Sequence, residues 1–411
     1  MAEKDLTCPK GAGQPQAGPA KRDAAKPHKP GWQTWRFEQM ATNVNVRIDN
    51  PSESGMEHYV GLEHLDPDSL RIRRWGSPSD VEAGKLFFKT GDIIFAKRRA
   101  YQRKLGVAEF DGICSAHAMV LRAKPEVVLP EFLPFFMQSD LFMNRAVEIS
   151  VGSLSPTINW KTMAVQEFVL PPIEEQRHLV LAFGALEETL AAFTSASASA
   201  VALELSRLED ALDSVPAERL VPVEKLLTTG PRNGLSPKVN AEQRGYPTLS
   251  ISAVRDGRIV TEGNVKYADV TDEQAAAFEL KANDVLVVRG NGNKLLTGKC
   301  GLVDTVPKGC FYPDLLIQLK FDTKIIRPEL AALQWNTPST HRRLISRAKS
   351  TNGIWKINGG DIRQHTLKVP PIADQDALLE EVRAIRQART DIEKRKAQVQ
   401  NLKALALKEI A

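Results

Sequence analysis

Two stretches of this chain, 199 residues apart, carry the same helix-starting signature: Leu170-Pro171-Pro172-Ile173-Glu174-Glu175-Gln176 and Val369-Pro370-Pro371-Ile372-Ala373-Asp374-Gln375. Proline suits the first helical turn, and acidic side chains there oppose the helix dipole. After the first signature, apolar residues fall at Leu179, Phe183, Leu186, Leu190 and Phe193, then at Val201, Leu205, Leu208, Leu212 and Val215. Spacings of four and three define a coiled-coil seam. The seam slips by one residue across the Ser/Ala stretch 194–200 and ends at Pro216. At the same 199-residue shift Leu378, Val382 and Ile385 take the places of Leu179, Phe183 and Leu186. A helix of ~40 residues is about 60 Å long. An apolar seam of that length needs a partner, and the expected partner is the other helix of the same chain, running antiparallel.

The repeat continues upstream. Ile158-Asn159 matches Ile357-Asn358, Pro130-Glu131 matches Pro328-Glu329, and Gly91-Asp92-Ile93-Ile94 matches Asn283-Asp284-Val285-Leu286. The shift drifts between these landmarks, so loop insertions separate otherwise parallel units. The expected order is a disordered basic tail (1–30), an α/β domain (31–172), a helix (173–215), a second α/β domain (216–371) and a second helix (372–411). Within the first domain, Asp92-Ile93-Ile94-Phe95-Ala96 and Ala118-Met119-Val120-Leu121 read as strands, and Glu131 through Met143 as one helix.

Charge is distributed unevenly. The net charge is +5, but residues 173–215 hold 2 basic against 8 acidic side chains, while 216–371 hold 23 against 15. A strongly basic globular stretch points to nucleic acid for part of the chain. The densest basic run is Lys97-Arg98-Arg99-Ala100-Tyr101-Gln102-Arg103-Lys104, directly after an expected strand. Arg reads guanine edges, Gln reads adenine edges and Lys neutralises phosphate. A solvated hairpin loop is the bland alternative. The equivalent run in the second domain is Arg289-Gly290-Asn291-Gly292-Asn293-Lys294, where glycines permit close backbone approach, although a plain Gly-Asn turn reads equally well. Arg232 and Asn233, within Gly230 to Pro237, and the run His341-Arg342-Arg343 with Arg347 and Lys349 are further contact candidates.

Catalysis finds no foothold. The segment Gly292 to Lys299 has the wrong glycine spacing for a phosphate loop, with Cys300 where Ser or Thr should stand. Pro313-Asp314 with Gln318-Leu319-Lys320 lacks the second carboxylate of a metal-dependent nuclease and reads as a core strand. There is no Asn-Pro-Pro-Tyr/Phe or Asp-Pro-Pro-Tyr motif, no glycine-rich pocket for S-adenosylmethionine and no HxxxH pair. No metal site is expected. The four cysteines are scattered without a CxxC pair, no unbroken apolar run reaches ~20 residues, and no secretory h-region is seen, so a cytoplasmic, membrane-free protein is expected.

The arrangement of globular domain, Leu-Pro-Pro-Ile-x-x-Gln and long helix, used twice, resembles the specificity subunit of type I restriction–modification systems. Further matching stretches are Thr90-Gly91-Asp92-Ile93-Ile94-Phe95-Ala96-Lys97, Gly230-Pro231-Arg232-Asn233-Gly234-Leu235-Ser236-Pro237, and Gly152-Ser153 through Ile158-Asn159-Trp160. The resemblance covers about residues 31–411. It implies a mixed α/β fold of two tandem target recognition domains, each followed by a long helix, with the helices paired as an antiparallel coiled coil. It implies a non-catalytic subunit that reads a bipartite site in double-stranded DNA and docks two methyltransferase subunits and restriction/translocase subunits. S-adenosylmethionine, ATP and Mg²⁺ would be bound by those partners and none by this chain. Docking is expected around Pro171, Pro172, Ile173 and Gln176 and around Pro370, Pro371, Ile372 and Gln375, with simple capping and domain packing as the bland alternative. The competing readings are a self-contained DNA-modifying enzyme and a coiled-coil scaffold unrelated to DNA.

Overall fold

The structure is a computed structural model that describes residues 29–410. The tail expected over 1–30 therefore falls almost wholly outside the described residues, as does Cys8. The chain divides into two compact units, Met1–Ala192 with Arg395–Ala411 and Phe193–Lys394. Both divisions fall inside the long helices Ile173–Asp213 and Ile372–Glu409, so each unit holds one α/β head and a segment of each helix.

In the first unit, a four-stranded antiparallel sheet runs in the order Ala41–Val44, Met119–Ala123, Ile93–Phe95, Leu105–Val107. A second sheet runs Arg47–Ile48, Lys85–Phe88, Gly112–Cys114, Tyr59–Val60. The central strands are continuous apolar runs, as strands covered on both faces must be. The single helix expected from Glu131 to Met143 is broken into Leu133–Gln138 and Asp140–Glu148. Ser139 is extended and its hydroxyl accepts from the Phe142 amide, so a helix cap interrupts the run. Phe136 and Phe142 of this pair pack against each other and against Phe37 and Phe168. Phe183 of the first long helix stacks on Phe135, and Leu407 and Ile410 of the second long helix join the same core.

The second unit repeats the plan. Its six-stranded sheet runs Leu227–Asn233, Leu316–Phe321, Val285–Val288, Cys300–Leu302, Arg258–Ile259, Val254–Arg255. Leu208 and Leu212 of the first long helix pack with Leu378, Leu379 and Val382 of the second and with Leu330 and Leu333 of the head. Ion pairs flank this contact, Arg207 to Glu381 at 2.7 Å and Arg386 to Glu204 at 2.6 Å.

Each head is closed by its own ends. Gln33–Arg36 pairs antiparallel with Glu167–Leu170 in the first, and Leu220–Pro222 with Thr366–Lys368 in the second. The repeated Ile-Asn proves to be a helix cap: Asn159 accepts from the Lys161 amide and Asn358 from those of Gly360 and Asp361.

The seam differs from expectation in the middle of the first long helix, where Val201 is 47% exposed. An 18-residue window of this helix has a mean hydropathy of 1.4 and is only 6% buried, so by length and composition the helix is apolar enough to cross a membrane. Looking for unbroken apolar runs overlooked it because Glu187, Glu188 and scattered serines and threonines interrupt the pattern. Cys114, Cys300 and Cys310 are free and buried, and burial pushes the Cys310 thiol up to about 12.

Candidate nucleic-acid interface

The basic run of the first unit is the loop between strands Ile93–Phe95 and Leu105–Val107. It is folded far more tightly than a solvated hairpin. Arg99 and Arg103 both sit in the left-handed region, at φ of +60° and +53°, and bracket a short 3-10 turn at Ala100–Gln102. Non-glycine residues hold that conformation only when their surroundings enforce it. Here Arg103 provides the restraint: its guanidinium bonds Asp68 at 2.6 Å, Asp140 at 3.0 Å and the Gln138 carbonyl at 2.5 Å. The Lys104 ammonium donates to the Leu62 carbonyl, and Lys97 is half-buried, its pKa lowered by that burial. Arg103 and Lys104 are thus committed to the loop's own geometry. Tyr101, 55% exposed, stands out from the turn with Arg98, Arg99 and Gln102 around it.

A second segment braces this loop. Arg98 bridges to Thr157, the Arg99 amide donates to the Pro156 carbonyl, and the Arg99 guanidinium reaches the Ser155 hydroxyl at 3.1 Å. Residues 149–157 thereby share the surface, with Val151 80% and Leu154 90% exposed.

The second unit has the counterpart loop, residues 289–299, between Val285–Val288 and Cys300–Leu302. Asn291 accepts from the Asn293 amide and Asn293 from that of Leu295, so both asparagines build successive Asx turns. Arg289 lies 4.0 Å from Asp314. The Lys294 ammonium sits 4.2 Å above the Trp355 ring, and the pair is braced by Gly290–Asn291 pairing with Ile354–Lys356. His341 is buried, its Nε2 2.8 Å from the Thr297 carbonyl, and the Trp335 indole donates to the Gly298 carbonyl. The sequence offered His341 as a contact residue; burial and this bond make it a support for the loop instead. Arg232 is also engaged, its guanidinium 3.7 Å over Phe278 and bonded to the Ala277 carbonyl, while Asn233 is exposed at the strand end.

Trp355 and Lys356 escaped the sequence reading. Their signal was Asn352-Gly353, an Asn-Gly hairpin turn with φ of +51° and +75° between Lys349–Thr351 and Ile354–Lys356. Beside this loop the second unit opens a cleft of about 1930 Å³. Asn291, Leu296 and Lys299 line one side; Arg255, Arg258 and Lys266 belong to the head and Arg386 and Arg389 to the second long helix. The cleft carries more basic than acidic side chains, as a phosphate-bearing ligand requires.

At the helix starts, Gln176 and Gln375 are buried with matching bonds. Gln176 accepts from the Leu129 amide and donates to the Val127 and Pro171 carbonyls; Gln375 accepts from the Arg327 amide and donates to the Ile325 and Pro370 carbonyls. Both amides, expected to meet a partner, are saturated by their own head. Pro171 and Pro370 are likewise buried, whereas Pro172 and Pro371 are exposed and Ile173 and Ile372 half-exposed. Among the described residues no group of His, Cys, Asp and Glu is placed to hold a metal ion.

No family model matches the chain. It is 26% identical over 360 residues to the type I restriction enzyme EcoKI specificity subunit of Escherichia coli (strain K12), covering 78% of this chain and 76% of that protein. It is 28% identical over 158 residues to the EcoDI specificity subunit of Escherichia coli, covering 36% and 33%. Among solved structures, a chain from work on complex assembly and conformational transition of the type I R-M system matches with a TM-score of 0.59 at 20% identity, over 93% of this chain and 99% of that one. The type I restriction-modification S subunit from M. genitalium matches with a TM-score of 0.52 at 12% identity, over 94% and 98%.

Proposed function

We propose, for a chain that is a specificity subunit of a type I restriction–modification system, that the loops at 97–104 and 289–299 each read one half of a split DNA target. The subunit is non-catalytic and confers sequence specificity on DNA. One observation carries the assignment of the loops. Both heads project a hairpin loop from the same place in the same sheet, braced by the segment before the Ile-Asn cap, yet the two loops differ in length and chemistry. A shared scaffold with divergent loops is what two different half-sites demand.

In this reading Arg98, Arg99, Tyr101 and Gln102 contact the first half-site, and Arg289, Asn291, Asn293 and Lys294 the second, with Trp355 as an aromatic wall. Lys97, Arg103 and Lys104 shape the first loop, as Arg232 does its own strand, with Asn233 reaching DNA at the end of that strand. The target recognition domains are residues 31–172 and 216–371, and the two long helices pair as an antiparallel coiled coil that sets the unread gap. Two methyltransferase subunits and the restriction/translocase subunits dock on the helices and on the exposed Pro172 and Pro371 with the half-exposed Ile173 and Ile372. Those partners supply S-adenosylmethionine, ATP and Mg²⁺. A cytoplasmic location fits such a subunit.

The test is a methylation map of DNA exposed to the reconstituted complex. A split, asymmetric motif is expected, and a continuous motif would overturn the assignment. Replacing Arg98 and Arg99 by Ala should weaken binding and lower the salt slope by roughly 0.9 for each phosphate no longer neutralised. It should relax only one half-site; an unchanged slope and unchanged motif would remove both residues from the interface.

A further inference from the structure

The 199-residue shift that relates the two long helices pairs Glu187 with Arg386 and Glu204 with Lys403. In the first unit Glu187 bonds Lys403 at 2.5 Å, and Lys403 also donates to Gln138 at 2.7 Å. In the second, Arg386 holds Glu204 with two bonds of 2.6 and 2.8 Å. These are the same contact seen twice, with the charges exchanged between helices: the first helix carries both acids and the second both bases. All four side chains are largely shielded, at 8% and 19% exposure for Lys403 and Glu187 and 18% and 15% for Arg386 and Glu204.

We infer that this exchanged pair is a recognition code that makes the first helix accept the second and reject a second copy of itself. Two first helices packed in the same antiparallel geometry would set Glu187 against Glu204 twice. Two second helices would set Arg386 against Lys403 twice. Shielded like charges without partners are strongly disfavoured, whereas the heterotypic pairing satisfies all four. Such a device matters here because apolarity alone does not discriminate. An 18-residue window of the first helix is apolar and little buried, so that stretch would otherwise accept another copy. The ion pair from Arg207 to Glu381 adds to the bias, since its shifted counterparts are Ala406 and Ala182. The inference rests on contacts within each unit, independently of the DNA reading, and its test involves no DNA.

The full chain suffices for the experiment, with self-association followed by sedimentation over a wide concentration range. Glu204→Arg breaks the pair with Arg386 and makes the first helix complementary to itself, since Glu187 then faces the introduced guanidinium of a second copy. Glu204→Gln breaks the same pair without creating that complement. The wild-type chain should remain a single copy, and E204R should self-associate on the order of 100-fold more tightly than E204Q. Reversal of both pairs, E187R and E204R with R386E and K403E, restores the two contacts inside the chain, leaves each helix with like charges against its own copy, and should return the chain to a single copy. Circular dichroism of E204Q serves as the folding control, since it lacks the same pair. Equal behaviour of E204R and E204Q, self-association of the wild type to the level of E204R, or a four-site reversal that associates like E204R would each overturn the code.

Discussion

At the turn before the central strand, the first unit places Gly91 at a φ of +88° and the second places Asn283 at +72°. The following aspartates are buried in both and accept from an amide three residues earlier, Asp92 from Lys89 and Asp284 from Lys281. Their remaining partners diverge. Asp92 is gripped by Arg122 through two bonds of 2.7 and 2.8 Å, while Asp284 receives a single bond from the neutral Gln318. By strand register Gln318 stands where the first unit has Val120. Burial accordingly raises the pKa of Asp284. The two halves keep backbone roles fixed and let the electrostatics vary. Positions that satisfy main-chain groups tolerate few solutions, whereas a buried charge can be neutralised by several.

The largest effects should fall where the halves are most alike. Gln176→Ala and Gln375→Ala each orphan a part-buried amide and a buried proline carbonyl, costing about 3 kcal/mol apiece in urea unfolding. Losses that differ by more than about 1 kcal/mol would break the equivalence of the two helix starts. Next come Gly106 and Gly301, which occupy one position after the loops at 97–104 and 289–299. A Cβ on Gly301 would lie 2.7 Å from the Arg258 carbonyl, part of the backbone, but on Gly106 it would lie 2.7 Å from Ile72 Cγ1, a side-chain atom that can move without the backbone. Gly301→Ala should therefore cost about 3 kcal/mol and Gly106→Ala about 1. Denaturant midpoints of the two variants check the ranking.

A smaller difference is set by pH. Residue 365 is His where the first unit has Gln166, and each accepts through its backbone carbonyl from a matching amide, His365 from Val223 and Gln166 from Phe37. Burial, with Arg343 and Arg347 nearby, lowers the His365 pKa from 6.5 to about 4. The unfolded chain then binds a proton that the folded one refuses, so stability is intact above about pH 6.5 and falls as pH drops toward 4. At pH 5 the loss is about 2 kcal/mol, confined to the second unit. His365→Gln should remove that share of the acid sensitivity, and hydrogen exchange at pH 5 and 7 would show whether it does.

Much of this was legible in the sequence because it recurs. The Pro-Pro-Ile-x-x-Gln starts, the Ile-Asn caps and the Asp-led central strands stand out by being used twice. The broken helix at Ser139 was hidden, since one hydroxyl cap overrides a run of good apolar spacing. The fate of the charged residues was hidden too. Arg103 sits in the densest basic run, and only the fold brings Asp68 and Asp140 to it. Composition gives the sign of a loop, whereas long-range contacts decide which of its charges remain for a ligand.

The closure of each head by its own terminal strands brings the two ends of each head together. Chain enters and leaves through one antiparallel pair, Gln33–Arg36 with Glu167–Leu170 or Leu220–Pro222 with Thr366–Lys368, so what lies between can lengthen without moving the helices. The register shows where the two halves differ in length. The shift relating the halves is 192 residues at Ile94 and Leu286, 195 at Gly106 and Gly301, and 198 at Val120 and Gln318. Near the exit, at Phe168 and Leu367, it has settled at 199. Part of the difference lies in the loops at 97–104 and 289–299, so their length varies on an unchanged strand frame.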